Sequence, residues 1–136
     1  MKPKYMLDTN ICIYLMKHHP VEVQERFDEC FVGDVVISTI TLAELEFGVA
    51  CSGQTESSNR SALDSFLEEI PVAPFEADAA RSYGPIRAAR RDRTQGALDK
   101  LIAAHAISLG VILVTNNEAD FATYPALSVE NWVNNH

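Results

Sequence analysis

The 136-residue chain has little positive charge, few cysteines and no long apolar run. No stretch approaches the roughly 20 apolar residues that a membrane-spanning helix needs. The basic start at Lys2 and Lys4 is followed by neither a secretory hydrophobic segment nor a small-residue cleavage site, so the sequence predicts a cytoplasmic protein. Cys12, Cys30 and Cys51 lack the spacing of a zinc knuckle or a disulfide framework, and we expect them to be small, partly buried apolar side chains.

Lys and Arg together number 11 against 19 Asp and Glu, a net charge of −8. This balance argues against tight, nonspecific nucleic-acid binding through net charge alone. The cations concentrate in one stretch, at Arg81, Arg87, Arg90, Arg91 and Arg93. Arg87, Arg90 and Arg91 share one helical face by spacing, which predicts either a phosphate-contacting face or a solvated helix end. The chain has neither a P-loop nor G-x-G-x-x-G, which disfavours nucleotide binding.

Apolar runs alternate with amphipathic helical segments along the chain. Length and composition predict a single domain over residues 1–136. The predicted strands cover residues 4–7, 35–38, 71–75 and 111–114, with a last short one in 127–132. The predicted helices cover residues 10–17, 20–31, 42–51, 60–70, 77–93 with an interruption at Gly84-Pro85, and 97–109; residues 51–59 read as a loop. This alternation predicts an α/β fold, with a parallel sheet covered by helices on both faces.

Acidic residues follow the ends of the predicted strands. Asp8 follows the first, Glu44 lies just beyond the second, and Asp120 comes after the fourth. The carboxyl ends of parallel strands meet at one edge of a sheet, where ligands bind. Carboxylates gathered there are costly without a cation, so the pattern predicts a metal site. Two local alternatives remain open: Asp8 as a helix cap, and Thr41 with Glu44 as a capping box.

The helix at 97–109 is expected to bury a stripe formed by Leu98, Leu101, Ile102, His105 and Leu109. Asp99 then flanks the buried face, either as a site acid or as a first-turn acid favoured by the helix dipole. His105 is expected to be a core histidine, while His18 and His19 look solvated. Asp120 either completes the acid cluster or lies in a turn capped by Asn117.

Several segments together resemble one family. Met6-Leu7-Asp8-Thr9-Asn10-Ile11-Cys12-Ile13-Tyr14 resembles the opening of PIN-domain ribonucleases, above all the VapC toxins of bacterial VapBC toxin–antitoxin pairs. The further matching segments are Ser38-x-x-Thr41-x-x-Glu44 with Phe47-Gly48, Asp99-Lys100-Leu101-Ile102-Ala103-Ala104-His105-Ala106, Val114-Thr115-Asn116-Asn117 with Phe121, and Val129-Glu130-Asn131-Trp132. The resemblance covers nearly the whole chain, and its motifs are specific in combination.

The resemblance implies a three-layer α/β/α fold with a mostly parallel sheet and a Mg²⁺- or Mn²⁺-dependent endoribonuclease toxin. It implies Asp8 and Asp99 as metal ligands and Glu44 as the third acid. Asn117 stands where many PIN domains carry Asp, so three alternatives stay open for the fourth acid: Asp120, Glu118 or none. Residues 93–98 also depart from the family's usual Gly-Arg-Pro-Ile-Gly-type turn, which implies a changed rim to the site.

The implied partners are a VapB antitoxin, operator DNA through that antitoxin, and a second copy in a homodimer. The implied substrate is RNA, with initiator tRNA cut in its anticodon stem-loop. Thr9 and Thr115 are expected to contact the acids or the phosphate. One alternative is a catalytically silent PIN domain that only binds its antitoxin and tunes repression. A haloacid-dehalogenase-like phosphatase is disfavoured because that chemistry needs Asp-x-Asp, and the second position here is Asn10.

Overall fold

The computed structural model describes residues 2–89, 96–122, 124 and 126–133. The strands are β1 Tyr5–Leu7, β2 Val35–Ser38, β3 Val72–Ala73, β4 Ile112–Val114 and β5 Ser128–Glu130. The helices are α1 Thr9–Lys17, α2 Val21–Asp28, α3 Thr39–Ala50, α4 Glu56–Glu69, α5 Ala77–Ala89, α6 Ala97–Leu109 and α7 Glu118–Phe121, with a 3₁₀ turn at Gly53–Thr55. None of the described helices is long and apolar enough to cross a membrane.

The strands form one parallel sheet in the order β3-β2-β1-β4-β5. Consecutive side chains of β1 point to opposite faces of the sheet. Leu7 packs in the core between the sheet and helices α1, α3 and α4, and Met6 packs in the core between the sheet and helices α5 and α6. Both residues are fully buried. Strands covered on both faces have little need of polar alternation, which is why they read as short apolar runs. The predicted α/β/α architecture is therefore confirmed.

The start of α3 differs from the prediction. The helix begins at Thr39, directly after β2, because Ser38 is its N-cap and accepts a hydrogen bond from the Ile40 N–H at 3.0 Å. Thr41 consequently lies inside the first turn and is fully buried. The capping box of Thr41 and Glu44 is therefore wrong, and the Glu44 carboxylate is held elsewhere.

The predicted bounds of α6 are confirmed, and Gly110 ends the helix at φ 68°. The predicted buried stripe is only partly right, because Leu98 and Leu109 are 46% and 40% exposed. The fully buried positions are Ile102, Ala103, Ala104 and Ala106, with His105 only 1% exposed. Helix α5 packs on α6 together with the sheet, so α6 buries a wider face of small side chains than one stripe.

Other boundaries also moved. Helix α4 starts at Glu56, which shortens the predicted loop, and α2 ends at Asp28. Helix α5 runs through Pro85 to Ala89 without the predicted interruption. Residues 90–95 lie outside the described part of the chain, so the rest of that predicted helix stays a prediction. The short α7 was not predicted as a helix.

The three cysteines are free thiols with different environments. Cys12 is buried and Cys30 half-buried, as expected, whereas Cys51 is exposed beyond the end of α3. His18 and His19 are exposed, as predicted.

Candidate active site

Asp8 lies at the carboxyl end of β1, the middle strand of the sheet. Its side chain is 6% exposed, and its Oδ1 caps α1 by accepting from the Ile11 N–H at 3.0 Å. Burial raises the pKa of the Asp8 carboxyl, and the charge of Glu44 adds to the rise, while hydrogen bonds from the Thr115 side chain and the Ile11 amide oppose it. Asp8 is therefore a helix cap and also one member of a charged group.

Glu44 lies in the second turn of α3, where it is half-buried. Its Oε1 accepts a hydrogen bond from the Thr9 hydroxyl at 2.7 Å. Because Thr9 directly follows Asp8, this bond ties the acid of α3 to the β1–α1 turn. The expectation that Thr9 and Thr115 contact the acids is confirmed.

Asp99 lies half-buried in the first turn of α6, at the edge of the buried face as predicted. Burial and the charges of Glu44, Asp8 and Asp120 raise its pKa from 3.8 to about 6. The four carboxylates come from four different elements of the chain. The strand ends predicted that the acidic side chains converge, and the effect of the other three charges on the pKa of Asp99 agrees with that prediction.

Asp120 is exposed on α7, and its Oδ2 accepts from Asn117 Nδ2 at 2.6 Å. Asn117 occupies the N-cap position of α7 but makes no side-chain cap bond. Glu118 instead accepts from Asn131 Nδ2 at 2.9 Å, which ties it to the segment after β5. Of the two candidates for the fourth acid, Asp120 is the one whose charge acts on Asp99.

The donor chemistry of this group fits a divalent cation. Carboxylate oxygens are the ligands that Mg²⁺ prefers, and a cation would relieve the repulsion that raises the pKa of Asp99. Within the described ranges, no group of three His, Cys, Asp or Glu side chains is arranged to hold an ion as the side chains stand. The acids of this group are therefore close enough to influence the pKa of Asp99, but their described side chains do not form a complete coordination shell.

Sequence reasoning missed two features of α6: the burial of Lys100 and the partner of His105. Lys100, next to Asp99, is only 2% exposed. His105 was expected in the core, but its Nδ1 lies 2.8 Å from the Ser38 hydroxyl, a contact that spans 67 residues of sequence. No local signal could have identified that partner, although Ser38 at the end of an apolar run is a recognisable helix cap.

The basic stretch is only partly described. Arg81 and Arg87 are exposed on α5, and Arg87 donates to the Tyr83 hydroxyl at 2.7 Å. Arg90, Arg91 and Arg93 lie outside the described residues. A shared phosphate-binding face therefore stays a prediction.

A groove of about 330 Å³ runs between α1, α3 and α4. Ile13 and Met16 line it from α1, Val49 from α3 and Leu63 from α4. Glu44 is also among its lining residues, so the groove reaches the acid cluster.

Comparison with known proteins places these observations in a family context. Residues 5–127 match the family described as PIN domain. The chain is 43% identical over 131 residues to a Shigella flexneri protein named tRNA(fMet)-specific endonuclease VapC, covering 95% of this chain and 98% of the relative. It is 40% identical over 132 residues to a Haemophilus influenzae protein named Ribonuclease VapC2, covering 96% and 98%.

Solved structures agree with the sequence comparisons. The crystal structure of DNA-bound VapBC from Salmonella typhimurium matches with a TM-score of 0.87 and 37% identity, covering 96% of this chain and 99% of that one. The structure of VapBC2 from Rickettsia felis, bound to a DNA fragment from its promoter, matches with a TM-score of 0.85 and 38% identity, covering 95% and 98%. The likeness therefore spans nearly the full length of each chain.

Proposed function

The chain belongs to the PIN-domain family as an endoribonuclease of the VapC type, the toxin of a toxin–antitoxin pair, and on that premise we propose that Asp8 and Asp99 bind Mg²⁺ or Mn²⁺ for the hydrolysis of RNA phosphodiester bonds, assisted by Glu44 and Asp120. The observation that supports the metal most directly is the raised pKa of Asp99, which burial and then the nearby charges of Glu44, Asp8 and Asp120 produce. Perturbed acids of this kind cluster at functional sites.

The acids take different roles in this proposal. Asp8, held by its helix cap, and Asp99, on the first turn of α6, are the metal ligands. When bound, a divalent cation supplies an activated water and offsets charge on the phosphate oxygens. Glu44, oriented by Thr9, positions the metal or orients the attacking water. Asp120, exposed on α7, acts as the fourth acid through water.

Initiator tRNA, cut in the anticodon stem-loop, is the proposed substrate. A relative that is 43% identical carries the name tRNA(fMet)-specific endonuclease. The net charge of −8 gives no general attraction for RNA, so recognition must rest on RNA shape and local cations. Among the three arginines predicted to share one helical face, Arg87 on α5 lies in the described part of the chain and is exposed, so we propose it for such a contact.

The proposed partner is a VapB antitoxin whose apolar segment lies in the groove between α1, α3 and α4. Because Glu44 lines that groove, an antitoxin segment lying there reaches the acids and blocks them. The Salmonella typhimurium and Rickettsia felis relatives were crystallised as VapBC complexes with DNA. We extend this to operator binding through the antitoxin, and to a homodimer of the toxin.

The test is cleavage of purified initiator and elongator tRNAs by the purified toxin, with Mg²⁺ or with EDTA. We expect initiator tRNA to be cut only with the metal, and Asp99→Asn to reduce the rate at least 100-fold, since loss of a ligand removes the ion. Asp64→Asn is the matched control, because Asp64 is an exposed acid on α4 that pairs with Arg60 at 3.6 Å. A pure protein that binds antitoxin but cuts no RNA would favour the catalytically silent alternative.

A further inference from the structure

A buried polar contact joins α6 to the start of α3, at the end of β2 and next to β1. His105 Nδ1 and Ser38 Oγ lie 2.8 Å apart. Ser38 is fully buried and His105 is 1% exposed. A contact so shielded from water is costly to leave unmade.

Ser38 Oγ lies between two partners. It accepts from the Ile40 N–H, and its other hydrogen-bond contact in the described part of the chain is His105 Nδ1. The hydroxyl donates to Nδ1 in one tautomer of the neutral ring and accepts from Nδ1–H in the other, so the contact is made in either. Burial, opposed by the charge of Asp78, the Pro74 backbone and the charge of Glu76, lowers the pKa of His105 and favours the neutral ring, whose Nε2 has no hydrogen-bond partner among the described residues.

The ring of His105 is held in place from a second side. Phe75 packs against it edge-on, with ring centroids 5.4 Å apart at 75°. The Phe75 N–H also donates to Thr39 Oγ1 at 3.2 Å, so the segment before α5 contacts the same first turn of α3. The N-terminus of α3 is thus contacted by His105 through Ser38 and by Phe75 through Thr39.

We propose that His105 is a positioning residue for the acid cluster. Through Ser38 it sets where α3 begins, and α3 carries Glu44; Asp99 lies on the same helix as His105. The contact therefore fixes the spacing of these two acids without touching either. This inference rests on the proposed function, because the spacing matters only if Glu44 and Asp99 share an ion or a water.

The test uses His105→Leu and Ser38→Ala, which remove the contact from either side, and His105→Asn, whose side-chain amide can replace Nδ1 as acceptor or as donor. Ser108→Ala is the matched control, since it removes a hydroxyl from the same helix that bonds only the His105 carbonyl at 2.8 Å. Three quantities are measured: amide hydrogen exchange at Ile40 without metal or RNA, the Mg²⁺-induced rise in melting temperature, and kcat with KM on the cleaved RNA.

Both disruptive variants should exchange the Ile40 amide faster, show a smaller Mg²⁺ shift and lose roughly 10- to 100-fold in kcat, the usual effect of removing a group that orients ligands. KM should change much less, because both partners of the contact are buried and do not touch bound RNA. The double variant should be no worse than Ser38→Ala, since that single change already removes the contact with His105 along with the Ile40 cap bond. His105→Asn should retain most of the activity, and Ser108→Ala all of it.

A folded His105→Leu protein with wild-type kcat, or with unchanged Ile40 exchange, would overturn the proposal. If His105→Leu does not fold, Ser38→Ala removes the contact from the other partner together with the Ile40 cap bond, and a wild-type kcat in that variant would equally overturn the proposal. A wild-type protein that cuts no RNA would overturn the proposed function instead, while Ile40 exchange would still report whether His105 orders the start of α3.

Discussion

At the scale of single residues, Asp8 combines two roles that the sequence presents as alternatives. It caps α1 and sits among like charges. Asn caps helices about as well as Asp, whereas it carries no charge to repel Glu44 or to bind a cation. The two roles can therefore be separated by one substitution.

We predict that metal-free Asp8→Asn melts no lower than the metal-free wild type, with any gain worth about 1 kcal/mol or less, the scale of partly screened charge pairs. Mg²⁺ should raise the melting temperature of the wild type, because it binds the native site and not the unfolded chain, and should raise that of Asp8→Asn much less. Thermal melts with and without Mg²⁺ measure both effects.

Asp34→Asn is the control for this comparison. Asp34 is 8% exposed and its Oδ2 also accepts a backbone hydrogen bond, from the Phe31 N–H at 3.0 Å, but it lies before β2 at the opposite edge of the sheet. Its substitution should leave the Mg²⁺ shift intact. Equal Mg²⁺ shifts in wild type and Asp8→Asn would remove Asp8 from the ligand set.

Asp99 predicts a pH dependence with a definite sign. Its pKa is about 6 in the folded protein against 3.8 ordinarily, so the folded state binds this proton more tightly than the unfolded state does. Its contribution to the stability of the metal-free protein is therefore present below about pH 4 and is lost as the pH rises through about 6. Asp99→Asn should lose less stability than wild type over this range, as measured by urea unfolding without metal.

The same group links pH to metal affinity. Mg²⁺ competes with the proton on Asp99, so Mg²⁺ binding by the wild type should weaken as the pH falls below about 6. Asp120→Asn removes one of the charges that raise this pKa and should move the weakening to lower pH. If the unfolding free energies of metal-free wild type and Asp99→Asn change in parallel from pH 4 to pH 7, the raised pKa of Asp99 is contradicted.

At the scale of elements, helices α1, α3 and α4 build both the core beside β1 and β2 and the groove that reaches Glu44. Val49 and Leu63 belong to the core and also line the groove, whereas Ala62 lines it from an exposed position. Changes at the rim of the groove should therefore affect partner binding without disturbing the acids.

We predict that Ala62→Arg, at an exposed position of α4 that lines the groove, weakens antitoxin binding at least 10-fold by placing a charge where an apolar segment docks. RNA cleavage by the free toxin should stay near the wild-type rate. Titration with the cognate antitoxin and a cleavage assay measure the two properties. Ala80→Arg adds the same charge at an exposed site on α5, outside the groove, and should bind normally. Unchanged antitoxin affinity in Ala62→Arg would place the partner elsewhere.

At the scale of the whole molecule, the sheet order determines the chemistry that is possible. Strand β1 lies in the centre with β2 and β4 on either side, so the acids that follow these strands share one edge. No described histidine contacts an acid of this cluster: His105 faces Ser38, while His18 and His19 are exposed. A carboxylate–metal site activates water, whereas a histidine-based ribonuclease uses the RNA 2′-hydroxyl as nucleophile.

Water as nucleophile predicts RNA products with 5′-phosphate and 3′-hydroxyl ends. Mass spectrometry of the cleaved fragments identifies the ends, and a synthetic RNA with a 2′-deoxy residue at the scissile position should still be cut. Fragments ending in 2′,3′-cyclic phosphate, or complete resistance of the deoxy substrate, would contradict metal-activated hydrolysis.

The sequence by itself determined the alternation of strands and helices and the bounds of β2 and α6. These follow from local information: unbroken apolar runs, a helical period and a C-terminal Gly110. Acids just after strand ends, with Asp99 early in a helix, predicted the site. Whole-chain resemblance then indicated a VapC-type ribonuclease, which the family match and the named relatives confirm.

The tertiary structure alone decided how those acids are held and what surrounds them. The Thr9–Glu44 bond spans 35 residues and the Ser38–His105 contact spans 67, so neither leaves a periodic trace in the sequence. The face of α6 that packs between α5 and the sheet carries Ile102, Ala103 and Ala106. Leu98 lies outside that face and is exposed, although the pattern placed it in the core. The pKa of Asp99 likewise depends on burial and on charges from three other elements, which meet only when the sheet has formed.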